Sequence, residues 1–173
     1  MPVQPAFAAI YNEYKDLVFN VSLQYVQNSA DAEDITQEVF VKVHQHLHKY
    51  DSSVSSLKTW IYRIAVNQNL DFLKSRRARK RFAFITSLFK NLGEAEPVQF
   101  DHPGVAMEDK QEMQALFAMI NRLPGRQKTV LILSKIEERP QKEIAEIMGL
   151  SVKAVESLLQ RARKNLRAGA EGF

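Results

Sequence analysis

The chain has no cysteine among its 173 residues, which excludes disulfides, thiolate metal sites, a cysteine nucleophile and direct thiol redox sensing. Glycine and proline are scarce, six of each, so regular structure is rarely interrupted and no Gly-rich phosphate loop is present. No run reaches the roughly 18 apolar residues of a membrane span, and Met1 to Phe7 lacks the charged and apolar regions of a signal peptide. A soluble, cytoplasmic protein is expected. Alternating strand patterns are scarce, internal repeats are absent, and no convergent Ser-His-Asp pattern can be read.

Long stretches instead place apolar residues at intervals of three and four, which reads as an all-α chain. A hydrophobic content of 45% suffices for a packed core, in one ordinary domain or two small ones. The net charge is only +4, but the positive charge is concentrated. Lys74, Arg76, Arg77, Arg79, Lys80 and Arg81 form one run, and the segment from Lys153 to Arg167 supplies a second. Two separate basic clusters imply two contacts with a polyanion.

The second cluster belongs to the most informative part of the chain. Residues 140–148 and 152–167 read as two helices joined by Gly149-Leu150-Ser151, with Gly149 suited to a left-handed helix end and Ser151 to an amino-terminal cap. Val152, Val155, Leu159, Ala162 and Leu166 make one apolar stripe, to pack on Ile144, Ala145 and Met148. The opposite arc, headed by Ser151, carries Lys153, Glu156, Ser157, Gln160, Lys164 and Arg167, with Arg161 and Arg163 on its rims. It combines phosphate-seeking cations with side chains able to read base edges. This is the pattern of a DNA-binding helix-turn-helix.

In the amino-terminal half, Phe7, Ile10, Tyr14, Leu17, Val18, Val21 and Tyr25 mark a first amphipathic helix. A second, Asp31 to His48, opens with carboxylates that favour a helix amino terminus and lines one side with Ile35, Val39, Val43 and Leu47. Its other side gathers Asp34, Gln37, Glu38 and Val41, an apolar residue in an acidic patch, which suits either a protein partner or a plain solvated face. His44 and His48 have the i, i+4 spacing of a metal chelate, yet no third ligand stands out, and no metal or cofactor is expected. A third helix starts near Ser56 and carries a cationic ridge of Arg63, Lys74 and Arg81 with Asn67, and Arg77 nearby. Tyr50 opens the loop before it, and aromatics beside a basic ridge can stack on unpaired bases.

Residues 82–109 read as a linker: Phe82 to Phe89 is apolar, and Gly93 to Asp109 is acidic and broken by Pro97, Pro103 and Gly104. Met113, Leu116, Phe117 and Ile120 then mark a helix stopping at Leu123-Pro124-Gly125, and Val130, Leu131, Leu133 and Ile136 mark the next. With the helix-turn-helix they make a four-helix unit. The expected organisation is residues 1–81, a flexible linker 82–109, and residues 110–173.

Four segments in order, Asp31 to Phe40, Thr59 to Asn67, Leu123-Pro124 with Val130, and Glu143 to Arg163, resemble the extracytoplasmic function sigma factors of bacterial RNA polymerase, over nearly the whole chain. The resemblance implies that residues 1–81 are sigma region two, binding core polymerase and melting the minus ten promoter element, and that residues 110–173 are region four, reading the minus thirty-five element. It implies that Asp34, Gln37, Glu38 and Val41 meet the polymerase. It places Tyr50 and Asn67 near an extruded base, and Arg63, Lys74 and Arg77 near phosphates. It also implies a linker in the polymerase RNA channel, regulation by an anti-sigma factor, and no small-molecule substrate.

The chain departs from the family pattern at Glu156 and Leu158, where basic residues are common, and at Pro140 and Gln141, where Ser and Tyr are usual. Glu156 either accepts from a cytosine amino group or points away from DNA, while proline is comfortable at a helix start. The main rival reading is a dimeric helix-turn-helix repressor or activator, which needs two half-sites and no polymerase face. An enzyme is the more distant alternative.

Overall fold

The computed structural model describes residues 6–90 and 110–170, and among these the only regular structure is helical. The first module consists of α1 (Phe7–Val26), α2 (Ser29–His46) and α3 (Leu57–Lys90), with a single 3-10 turn at Leu47–Lys49. Local chemistry sets the boundaries. The α1 helix ends where Gln27 turns left-handed at φ 49°. Asn28 caps α2 by accepting from the Asp31 backbone N–H at 2.9 Å, and Ser56 caps α3 by accepting from the Thr59 N–H at 3.1 Å. The α3 helix runs nine residues beyond Arg81, through a segment the sequence assigned to the linker; residues 91–109 of that linker lie outside the described residues.

The second module consists of α4 (Lys110–Arg122), α5 (Gly125–Leu131), continued by a π turn at Ile132–Ile136, α6 (Gln141–Met148) and α7 (Val152–Ala170). Gly149 sits at φ 64°, and the Leu150 N–H returns to the Ala145 carbonyl at 2.9 Å, closing α6 with a Schellman-type turn. Ser151 accepts from the Ala154 N–H at 3.2 Å and starts α7. Both devices stand where the sequence placed them.

Each module buries the stripe expected of it: Val18, Val21, Val39, Val43 and Ile61 in the first, and Val130, Leu133, Ile144, Val155 and Leu159 in the second. Val152 is a correction. It is 37% exposed, and so are Leu116 of α4 at 45% and Ile136 at 39%, each of them marked as apolar face by the sequence. The two cores meet in one apolar cluster, joined where α6 and the α5 region pack on α1 and α3.

Candidate nucleic-acid interface

The reading arc of α7 lies on the surface. Ser151, Lys153, Glu156, Gln160, Arg161 and Lys164 are exposed and Ser157 is half-buried. Arg161 donates to the Ser157 hydroxyl one turn earlier at 2.9 Å, which orients the guanidinium along the helix. The stripe opposite is held by Val155, Leu159 and Ala162, and the Asn165 amide donates to Gln127 of α5 at 2.8 Å. The helix thus buries one face firmly and leaves the polar one free to enter a groove.

On α2, Asp34, Gln37, Glu38 and Val41 are all exposed, and Val41 shows 51% of its surface. Val41 borders an apolar groove of about 490 Å³ that Phe7, Tyr11, Phe40 and His44 also line. Tyr11 and Phe40 meet edge to face at 4.8 Å, and His44 stands edge-on to Phe7 at 5.0 Å. Sequence reading missed this groove, since its walls come from two helices: Phe7 was read as part of the α1 stripe, and Gln37 and Val41 as part of the α2 face. Among the described residues no three potential ligands gather into a metal site, His44 and His48 included.

The ridge on α3 divides. Asn67, Lys74 and Arg77 are exposed, with Lys80 and Arg81 extending the cationic surface beyond them. Arg63 is not presented to solvent in the same way: its Nη2 donates to the Glu146 carbonyl of α6 at 2.8 Å. Tyr50 is half-buried, its ring tilted against that of Trp60 at 5.4 Å, with its hydroxyl donating to the Ser55 carbonyl at 3.2 Å. Both residues are therefore engaged inside the molecule, Tyr50 in shaping its own loop and Arg63 in the seat of the second module.

Polar bonds cross the seam between the modules. Tyr62 donates to the Glu137 carboxylate at 2.8 Å, Tyr25 to the Thr129 hydroxyl at 2.9 Å, and Asn121 to Gln27 at 2.8 Å. Lys128 of α5 is 2% exposed and donates to the Tyr25 carbonyl at 2.6 Å and to Asn121 at 2.5 Å. Burial, with Arg77 and then Arg76 nearby, brings its ammonium down to about 7. Glu137 and burial push the Tyr62 phenol well above its ordinary value, burial being the larger cause. Of these seam residues the sequence marked Tyr25, as part of the α1 stripe, and gave no sign that any of them joins the modules.

A helical chain with an exposed helix-turn-helix arc, a cationic ridge and a separate acidic, apolar-edged face has the make-up of a DNA-binding factor that works on another assembly. Comparison with known proteins makes this particular. Sigma-70 region 2 matches residues 10–79 and Sigma-70 region 4 matches residues 113–166. The ECF RNA polymerase sigma factor SigW of Bacillus subtilis is 30% identical over 95% of this chain and 88% of its own length. The ECF RNA polymerase sigma-E factor of Escherichia coli is 28% identical over 93% and 84%. Among solved structures, CnrH in complex with the cytosolic domain of CnrY has a TM-score of 0.65 at 22% identity, covering 99% of this chain and 91% of that one. RpoE from Bartonella quintana, in complex with the anti-sigma factor NepR, has a TM-score of 0.66 at 18% identity, covering 94% of both. The chain belongs to the extracytoplasmic function sigma factors of the sigma-70 family. It is a transcription initiation factor, and no chemical step is its own. No helix among the described residues is long and apolar enough to cross a membrane.

Proposed function

We propose that residues 1–81 and 110–173 act as two promoter-binding modules on core RNA polymerase in the cytoplasm. The α2 face of Asp34, Gln37, Glu38 and Val41 docks on the polymerase, with Val41 and the aromatic groove beside it supplying apolar area inside an acidic rim. On α7, Lys153, Lys164 and Arg161 position the helix against phosphates, while Gln160, Ser157 and Glu156 face base edges, Ser151 heading the arc. Asn67, Lys74 and Arg77 of α3 follow the melted minus ten strand, joined by Arg63 once α6 leaves it, and the loop at Tyr50 receives an unpaired base. An anti-sigma factor holds the chain inactive until a signal releases it. CnrH and the Bartonella RpoE, which share this fold, are each seen with another protein, CnrY and the anti-sigma factor NepR.

The observation that carries the reading is the separation of surfaces: the reading arc is on α7, and the acidic, apolar-edged face is on α2 of the other module. A repressor has no use for the second. Run-off transcription with sigma-free core enzyme tests it. The chain is expected to confer start-site selection, and a variant with both Asp34→Lys and Glu38→Lys is expected to lose polymerase binding while keeping its helical circular dichroism. Unchanged polymerase affinity in that variant removes the α2 face from the interface. A tight two-to-one complex of the chain alone with a palindromic duplex favours the repressor reading instead.

A further inference from the structure

The seam between the modules borders a cavity of about 210 Å³, lined among others by Gln27, Arg76, Arg77, Lys80, Asn121 and Lys128, of which the promoter contacts proposed above use Arg77 alone. Lys128 contributes from the second module and is buried; its two acceptors, the Tyr25 carbonyl and the Asn121 amide, are both neutral. On the α3 side, Arg76 is paired with Asp31 of α2 at 3.0 Å. Among the described residues no carboxylate pairs with Arg77, Lys80 or Lys128. Four cations and one carboxylate therefore converge where the modules meet. An exposed basic ridge dissipates such charge into water, but a buried ammonium does not, and it must either lose its proton or gain an anion.

We propose that this cavity is a binding site for a small polyphosphate anion, a di- or triphosphate group, that lies between Lys128 of one module and Arg77 and Lys80 of the other and so latches the modules together. Phosphate chemistry fits a lining of ammonium and guanidinium donors with two side-chain amides. A cavity of this size takes a phosphate chain but not the width of a duplex. Without the anion, the crowded cations resist closure; with it, they favour it. The anion also restores the proton to Lys128, whose ammonium burial and Arg77 have brought down to about 7, so binding at mildly alkaline pH takes up a proton. Closure keeps Arg63 beneath α6 and off the promoter, a consequence that rests on the function proposed above; the binding itself does not.

Calorimetric titration of the full chain with pyrophosphate at pH 8, in two buffers of different ionisation heat, tests the site. Sulfate, which does not titrate at this pH, repeats the measurement free of the ligand's own ionisation. One saturable site is expected, with buffer-dependent heat showing uptake of most of one proton. Lys128→Met is expected to abolish the uptake and weaken binding at least tenfold. Lys80→Ala, at the exposed rim, is expected to weaken binding several-fold with the fold intact, so the test survives should Lys128→Met fail to fold. A nucleoside triphosphate arm distinguishes the source: tighter binding than pyrophosphate points to a nucleotide, equal binding to bare polyphosphate. Heat independent of buffer, affinity indifferent to Lys80→Ala, or stoichiometric displacement by duplex DNA with the same proton uptake each overturns the proposal. Transcription is not the readout, so failure here leaves the promoter reading standing, and failure of run-off initiation leaves the anion site standing.

Discussion

Lys128 shows how one side chain reports on the arrangement of the whole chain. Facing it are Tyr25 of α1, Arg76, Arg77 and Lys80 of α3 and Asn121 of α4, with Asp31 of α2 reaching it only through Arg76. Its ammonium value is about 7 when the modules are closed, against 10.5 for an exposed lysine. The closed form disfavours the proton, so closure is strongest above pH 10.5, weakens about tenfold per unit as pH falls toward 7, and changes no further below that. Small-angle scattering between pH 6 and 9, without added phosphate, is expected to show a larger radius on the acid side, and Lys128→Met is expected to flatten the trend. On α7, Arg161 is the residue to test. Arg161→Ala is expected to cost about 1 to 3 kcal/mol at the minus thirty-five element if it reaches a base, or to lower the salt slope of binding by about one if it reaches phosphate. Filter binding at several salt concentrations separates the two, and no effect in either removes Arg161 from the reading surface. The arc of α7 was legible because period and residue type agree there. Lys128 was not, since Gln127, Lys128 and Thr129 are three consecutive polar residues, all buried, whose distant partners, Asn165 for the first and Tyr25 for the other two, a local pattern cannot reveal.

At the scale of elements, caps and turns did what their chemistry dictates. Asn28, Ser56 and Ser151 each accept a backbone N–H at a helix start, and Gly149 ends α6 in the left-handed region with nothing within 4 Å of where a Cβ would stand. The space is open, so Gly149→Ala pays only for backbone strain, about 1 to 2 kcal/mol. Chemical denaturation is expected to show that loss with no change in fold, and Gly149→Asn is expected to lose less. Where the sequence reading of elements failed, a neighbour was missing from view. Val152, Leu116 and Ile136 have the right period for their stripes but stay more than a third exposed. The run 82–90 reads as an apolar stretch, yet it continues α3 without a break, because no proline or glycine stands between Leu57 and Lys90 to stop it.

For the whole molecule, the modules pack tightly at Gly125 of α5, where an added Cβ would stand 3.0 Å from the Leu70 side chain of α3. Alanine there meets the movable end of a leucine and is tolerated. Gly125→Leu carries a branch the seam has no room for, and is expected to part the modules while leaving each helical core intact. Scattering should then show an expanded chain at unchanged helical content, and Arg63, freed from the Glu146 carbonyl, should raise affinity for single-stranded promoter DNA severalfold. An unchanged radius would mean that the seam yields without opening.

The sequence alone determined the helices, their caps, the division into basic and apolar faces and the family, because each of these depends on residues within a turn or two of one another. Tertiary structure alone decided that Arg63 is covered, that Tyr50 leans on Trp60, that an aromatic groove opens beside Val41, and that a lysine is buried between two modules on neutral acceptors. Those outcomes depend on which surfaces meet across a hundred residues of chain, and burial, charge and hydrogen-bond partners are fixed only once they do.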